Sequence, residues 1–540
     1  LSILADQDAA APAATPLHIA QEFMMRARGR GAFLRAAGAG AICQLAHAPL
    51  FIWPAFIISM TAFVWSLDGA RLCPQKLRAF AWRGWSFGFG YFLAGLFWVG
   101  GAFLVEPEKF AIFLPFAISA LPAGLGLFWA AAAMAAGVIW VNDSRRAPLI
   151  AGALCVAEYV RGHIFGGFPW GLAGTIWEAG GAISQAASVV GIYGLTAITL
   201  LIGVAPAVLV DADGVSRKRF VWPAAGALCI GLLWGAGAQR IAIAPIGDSG
   251  VGIRVADSGV SQLDKWKPEN AARVLNAYLD ATGGDFPRAP RIVIWPEGAL
   301  PFLLLETPAA LDAVSGVIGN RTLIVGSVRA ERLAGEENYY NSALIFQGNA
   351  GSLKLQTIYD KRALVPFGEF MPPGVRELTE LFGVSSLQAI GQGFTPGPRP
   401  TVLQIPGAPD AAILICYESI FPHIIPRGPE RPKWIVSITN DSWFGDTSGP
   451  WQHYNQGRYR AIEEGIPMAR AASGGVSAVV DGFGRPVSAE LYGGEGFADA
   501  KLPNALPPTL YSRYGDLAFL VMTALLLCAR LFSNRSDAVT

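Results

Sequence analysis

Charged residues are scarce in this 540-residue sequence, at 15% against 53% hydrophobic residues, and the mean hydropathy is +0.40. A balance that apolar excludes a wholly water-soluble protein. Neither sign of charge prevails: 41 basic and 40 acidic residues leave a net formal charge of +1, and no basic stripe with interleaved aromatics stands out. Nucleic acid is therefore not an expected partner. The six cysteines, Cys43, Cys73, Cys155, Cys229, Cys416 and Cys528, include no Cys-x-x-Cys pair, and the five histidines show no metal-ligand spacing. Zinc and iron–sulfur chemistry lack support, and no metal or other cofactor is expected.

What the sequence has in quantity is apolar length. Stretches approaching the roughly 20 residues that cross a bilayer fall at about 32–48, 50–67, 85–104, 110–140, 147–162, 179–210 and 220–238, and an eighth at about 515–532. Cytoplasmic loops carry an excess of Lys and Arg. Arg26, Arg28 and Arg30 before the first stretch, and Arg71, Lys76, Arg78 and Arg83 between the second and third, fix that side. Arg145, Arg146, Arg217, Lys218, Arg219, Arg530 and Arg535 fall on it by alternation. The expected organisation is a partly disordered cytoplasmic tail over 1–31, a seven-helix membrane domain over 32–240, an external domain over 245–505 and a last membrane helix over 513–534.

The external segment changes character. Short β-type runs at 291–295, 322–325, 411–415 and 434–438 alternate with helical stretches at 268–281 and 453–465. Strands alternating with helices predict an α/β sandwich.

Cys416 follows one of these runs and precedes Tyr417-Glu418-Ser419-Ile420, which predicts a strand-to-helix turn. A helix N-terminus favours thiolate and lowers a free-cysteine pKa of about 8.5. An isolated cysteine after an apolar run is, however, commonly a small buried hydrophobe. Topology raises its interest, because Cys416 is the one cysteine in the external segment. A cysteine nucleophile needs a base and groups that stabilise an oxyanion. Glu297, in Ile294-Trp295-Pro296-Glu297-Gly298, follows an apolar run whose neighbours would raise its pKa into the range of a general base, although taken alone a helix cap is an equal reading. Lys361 sits in Tyr359-Asp360-Lys361-Arg362, ahead of Pro366-Phe367-Gly368-Glu369, where a surface basic cluster is the plainer reading.

The ordered set Trp-Pro-Glu, Tyr-Asp-Lys-Arg with Pro-Phe-Gly-Glu, and Ile-Cys-Tyr-Glu resembles the Glu-Lys-Cys triad of the nitrilase superfamily. The membrane part adds Ala46-His47-Ala48-Pro49, Gly88-Phe89-Gly90-Tyr91-Phe92 and Gly167-Phe168-Pro169-Trp170-Gly171. Asn338-Tyr339-Tyr340-Asn341-Ser342, Asn440-Asp441-Ser442-Trp443-Phe444-Gly445 and Gly449-Pro450-Trp451-Gln452-His453 extend the likeness. Together they resemble the apolipoprotein N-acyltransferase family, the membrane-embedded branch of that superfamily, over roughly 30–535.

The resemblance implies an α-helical membrane bundle of about eight transmembrane helices plus a nitrilase-like αββα sandwich, in a bacterial inner membrane with the catalytic domain facing the periplasm. It implies Glu297 as general base, Cys416 as nucleophile, and Lys361 with the Tyr417 backbone N–H as oxyanion stabilisers. Glu369, Glu418, Tyr417 and Trp266 match supporting or substrate-binding positions. The implied reaction moves an acyl chain from a phospholipid, through a Cys416 thioester, to the N-terminal amine of a diacylated apolipoprotein; a membrane-anchored amidase-like hydrolase would use the same triad, and a non-catalytic membrane scaffold is a second alternative that the intact Glu297, Lys361 and Cys416 disfavour. An apolar segment at 370–394 is expected either as a membrane-facing lid or as a packed helix, and Ser473 stands where the family usually has Asn.

Overall fold

The computed structural model of the chain describes residues 15–104, 114–211, 217–243, 247–283, 290–333, 336–349, 351–371, 393–428 and 430–529. Most of the expected lid, 372–392, lies outside them, as do the first residues of the tail. The rest of the tail is not irregular: Pro16–Met25 is a helix, with the Thr15 side chain accepting from the His18 N–H.

Each expected apolar stretch contains a helix among the described residues: Gly29–Cys43, Trp53–Arg71, Lys76–Leu96, Leu114–Val138, Arg146–Arg161, Ala187–Val204, Val221–Ile243 and Leu517–Cys528. Among the described residues three helical stretches, Leu114–Val138, Ile183–Val210 and Val221–Ile243, are long and apolar enough to cross a membrane. Two boundaries differ from expectation. Lys76, Arg78 and Arg83 are not in a loop; the third helix begins at Lys76 because the buried Arg83 finds backbone carbonyls, donating to Ala27 O at 2.7 Å and to Ser66 O. The stretch from 179 opens as turns and a 3-10 segment, and Gly191 (φ +69°) breaks the helix that follows. The other charges that the bundle buries are paired, as an apolar surrounding demands: Arg146 with Asp68 (3.2 Å) and Asp211 (2.5 Å), and Arg161 with Glu158.

The segment between the last two helices is a two-sheet sandwich. One sheet has six strands in the order β11-β1-β2-β3-β4-β5, where β1 is Asp248–Ser258, β2 Ile292–Trp295, β3 Thr322–Leu333, β4 Glu336–Asn349, β5 Ser352–Asp360 and β11 Glu495–Pro503. The other has five, β10-β9-β8-β7-β6, with β6 Ala411–Ile415, β7 Trp434–Asn440, β8 Met468–Ser473, β9 Val476–Val480 and β10 Leu491–Tyr492. Alternate residues of the two inner faces, such as Ile253, Ile294 and Ile345 against Ile413, Val436 and Ala471, form the core between the sheets. Helices Ala271–Gly283 and Pro308–Ile318 cover the outer face of the first sheet through Val274, Tyr278 and Val314. Gly449–Glu464 covers the second through Tyr454 and Ala461. The layering is αββα, as expected.

Gly449–Glu464 is buried along nearly its whole length although it is rich in polar residues. Its other face meets the membrane-side segment 167–192. Asn455 accepts from Ala179 N (2.9 Å) and donates to Thr175 O (3.0 Å), and Tyr459 donates to Trp177 O (2.5 Å). The Glu463 carboxylate accepts from Ile192 N at 2.8 Å. A single apolar core runs through both parts, joining Tyr417, Phe421, Tyr459 and Ile462 to Trp98, Trp170 and Tyr193.

Candidate active site

Parallel strands end together at one edge of the sandwich, and the candidate residues lie just past those ends. Glu297 follows β2, Cys416 follows β6, and Asn440 closes β7. Lys361 follows β5, its N–H donating to Asn341 O on β4 at 2.8 Å. The Trp-Pro-Glu turn lies so close on β3 that a Cβ at Gly326 would sit 2.4 Å from Glu297 Cα, so only glycine fits there.

Glu297, Lys361 and Glu369 form one buried cluster. Lys361 Nζ donates to Glu297 Oε1 (3.1 Å) and Glu369 Oε1 (2.8 Å). Asn341 Nδ2 bridges the same two oxygens at 2.7 and 2.8 Å. Glu297 Oε2 accepts from Asn440 N (2.8 Å), and Glu369 Oε2 from Val365 N (2.8 Å). Hydrogen-bond donors therefore surround Glu297, not the apolar neighbours expected, because Asn440 at the end of β7 and Asn341 within β4 both aim polar groups at it. Burial opposes the charge on Lys361, but the Glu297 and Glu369 carboxylates prevail and its pKa lies well above the usual lysine value. Glu369 is thus a partner of Lys361 and not of Arg362, whose guanidinium donates to Gly397 O (3.1 Å).

Cys416 is a non-glycine residue at φ +50°, a backbone conformation that costs energy and recurs at functional turns. The expected strand-to-helix turn is present, as β6 running into a five-residue 3-10 turn, Cys416–Ile420. The expected thiolate is not. Burial first, then the Glu297 carboxylate, pushes the thiol well above its ordinary value, with Lys361 acting in the opposite sense. One short turn brings too small a dipole to reverse that.

Glu418 locks this turn. It is fully buried, and its carboxylate accepts from Arg362 N (2.7 Å), Ala363 N (3.2 Å), Ile415 N (2.8 Å) and the Tyr359 hydroxyl (3.0 Å). It ties the Lys361 loop to the Cys416 turn; burial pushes its pKa up to about 7 even though backbone donors act to lower it. Tyr417 points the other way and donates to Gly167 O of the membrane-side Gly-Phe-Pro-Trp-Gly loop at 2.7 Å. Arg161, paired with Glu158, holds that loop by donating to Phe168 O and to Trp170 O (2.9 Å). Trp170 and Trp98 both donate to Gln452 Oε1, at 2.8 and 3.3 Å. Trp266, 47% exposed at the end of the short helix Gln262–Lys265, makes no ring contact among the described residues. Its helix reaches the site through Gln262 Oε1, which accepts from Asn440 Nδ2 at 3.0 Å.

Sequence reasoning passed over several residues here. Asp441 is fully buried, bonding His453 Nδ1 and Arg470 Nη2, each at 2.7 Å. Burial opposes its charge, but His453 and Arg470 hold its pKa below the usual value. His453 Nε2 lies 2.8 Å from Ser419 Oγ and 3.1 Å from Cys416 O, so this chain backs the nucleophile turn from behind. Lys265 is enclosed with its amine unpaired among the described residues; burial brings its pKa down to about 8 against the pull of Asp257 and Glu297. The signal in sequence was Arg470, a charge inside an otherwise small and apolar strand, which requires a buried partner. Ser473 ends that strand, and its carbonyl accepts from Asp441 N at 2.8 Å. Among the described residues no cluster of His, Cys, Asp and Glu is arranged to hold a metal ion.

The two-sheet sandwich with helices on both outer faces fits the carbon–nitrogen hydrolase class of domain, here joined to a helical bundle. Comparison with known proteins agrees at both ends of the chain. The family profile described as carbon-nitrogen hydrolase matches residues 254–504, and the one described as apolipoprotein N-acyltransferase N-terminal domain matches 39–205. Curated proteins named apolipoprotein N-acyltransferase are similar over nearly the whole length. That of Rhodopseudomonas palustris is 38% identical, covering 92% of this chain and 94% of its own. Those of Bradyrhizobium diazoefficiens and Caulobacter vibrioides are 39% and 40% identical, covering 91% and 90% of this chain and 93% and 91% of their own. The chain belongs to the apolipoprotein N-acyltransferase family.

Proposed function

We propose that this protein transfers an acyl chain from a membrane phospholipid to the N-terminal amine of the diacylglyceryl-cysteine of apolipoproteins, through a thioester on Cys416. The observation that carries the reading is the convergence of Glu297, Lys361 and Cys416 at the sandwich edge where Tyr417 meets the membrane-side loop. Glu297 takes the Cys416 proton as sulfur attacks the ester carbonyl. Lys361 and the Tyr417 backbone N–H face the oxyanion of the tetrahedral intermediate. Glu297 returns the proton to the departing lysophospholipid oxygen. An uncharged amine then attacks the thioester, Glu297 accepts its proton, and the thiol is restored. A thiol held protonated at rest suits this scheme, because proton removal is coupled to attack and sulfur still leaves readily in the second half.

Glu369 keeps Lys361 charged and in place, Glu418 fixes the two loops to each other, Tyr417 closes the membrane side, and Trp266 lines the open side. The bundle lies in a bacterial inner membrane, with eight crossings and the domain over 245–505 facing the periplasm. The exposed apolar side chains of Val221–Ile243, among them Leu228, Leu232 and Trp234, support a lipid-facing surface. The test supplies the full chain with acyl-labelled phospholipid and a diacylated lipopeptide. Label on the peptide amine is expected. Label only in free fatty acid would select the hydrolase reading instead.

A further inference from the structure

A groove of about 980 Å³ opens on the catalytic domain away from the triad, lined among others by Arg427, Arg431, Lys433, Glu464 and Arg513. Four cations thus face a single carboxylate, and that carboxylate is spent, since Glu464 pairs with Arg427 at 3.2 Å. Two of the cations are fixed in advance. The Arg427 guanidinium lies 4.7 Å from the Tyr511 ring centre, and Arg431 donates to Leu506 O (3.1 Å) and Glu464 O. The Arg431 Nε is enclosed and has no hydrogen-bond partner among the described residues. Lys433 and Arg513 are exposed and have no acidic partner among the described residues. Glu430, adjacent in the chain, does not line the groove.

The groove's place in the chain says what it meets. Ser249, on one wall, follows closely on the end of Val221–Ile243, and Arg513, on the other, comes just before Leu517–Cys528. Both linkers between sandwich and bundle therefore frame it, which puts it at the height of lipid headgroups. Glu464 closes the helix that carries His453, eleven positions on, or about 16 Å at 1.5 Å per residue, so the groove is separate from the acyl-transfer site. Unpaired cations at this end also run against the loop bias that places basic residues on the opposite face.

We propose that this groove binds the headgroup of an anionic phospholipid, its phosphate seated between Arg431, Lys433 and Arg513. The inference rests on the membrane placement proposed above. The test uses the full chain in nanodiscs of mixed phosphatidylglycerol and phosphatidylcholine, with retained lipid read by native mass spectrometry. Wild-type protein is expected to keep phosphatidylglycerol preferentially. Lys433→Glu/Arg513→Glu should cut that preference at least about thirtyfold, the order expected when two basic side chains beside an anionic surface are lost at about 1 kcal/mol each. Lys433→Gln/Arg513→Gln should give a smaller loss, with Cys416 alkylation unchanged as a check on folding. Three results would overturn the site: no preference in the wild type, a preference that both variants keep, or displacement of the lipid by inorganic phosphate or an acidic peptide at equal concentration. Fractionation of the chain with alkali-washed membranes is scored separately, so a failed membrane placement is told apart from a failed groove.

Discussion

Lys361 is enclosed with two carboxylates for partners, which makes it the most exacting residue of the cluster. Lys361→Met leaves Glu297 and Glu369 sharing only the Asn341 amide, and losing one partner of a buried ion group costs about 3–5 kcal/mol. A clear fall in Tm and no acyl-enzyme are expected. Adding Glu369→Gln should recover much of the Tm and none of the acylation, which separates Lys361's charge from its packing. For Cys416, held protonated by burial and by Glu297, alkylation by iodoacetamide should keep rising with pH through the free-thiol value of about 8.5. A plateau near neutral pH in a mass-spectrometric time course would contradict this. That Glu297, Lys361 and Cys416 gather at one edge was legible in sequence because three motifs occur in order. The state of the thiol was not, because it depends on Glu297, more than a hundred residues away, and on enclosure that a strand-to-turn pattern does not encode. Asn341, Asp441 and His453 lay inside quoted motifs, but their partners appear only when β4, β7 and the Gly449–Glu464 helix come together.

At the scale of elements, Glu418 is the clasp between the loop after β5 and the turn after β6. Glu418→Ala leaves three backbone N–H groups without their acceptor, of which that of Ile415 is buried, at about 1–3 kcal/mol for a buried group stranded and less for the two part-buried ones. Thermal unfolding should show a drop of several degrees or more, with acyl-enzyme formation strongly slowed; Glu418→Gln, which keeps an acceptor oxygen, should be milder on both counts. Tyr417→Phe removes one hydroxyl bond to Gly167 O and should cost only about 1 kcal/mol in Tm measurements, leaving the ring contact with Phe168 in place. The strands nearest the site, β2, β6 and β7, were readable as short apolar runs because both their faces are buried. β4, β5 and β11 were not, since polar residues such as Lys354 and Gln356 on their open faces hide the alternation. In the bundle, Arg83 moved a helix start: a cation inside an apolar helix reads as a loop until the carbonyls that receive it are known.

For the whole molecule, the sandwich and the bundle are parts of one folding unit. Gly449–Glu464 turns Asn455, Tyr459 and Glu463 toward groups from the membrane-side segment, and Trp98 and Trp170 reach back to Gln452. A fragment spanning 247–505 exposes that polar helix and the apolar residues around it. It should therefore elute as aggregate in size-exclusion chromatography or unfold well below the full chain, whereas solved independence would call for a sharp monomer peak and an unchanged Tm. The two-part organisation was visible in composition, as a shift from long apolar stretches to alternating strands and helices. The docking between the parts was not, because the residues that make it are polar on both sides. The central claim is that Cys416 carries the acyl group between two lipids. Its most direct test is the intact mass of the full chain after incubation with phospholipid and no acceptor. The account predicts a gain of one acyl group on Cys416, absent from Cys416→Ala and Glu297→Gln, and lost on addition of a diacylated lipopeptide as the peptide becomes triacylated. N-acylated peptide appearing without any acyl group ever found on Cys416 would contradict it.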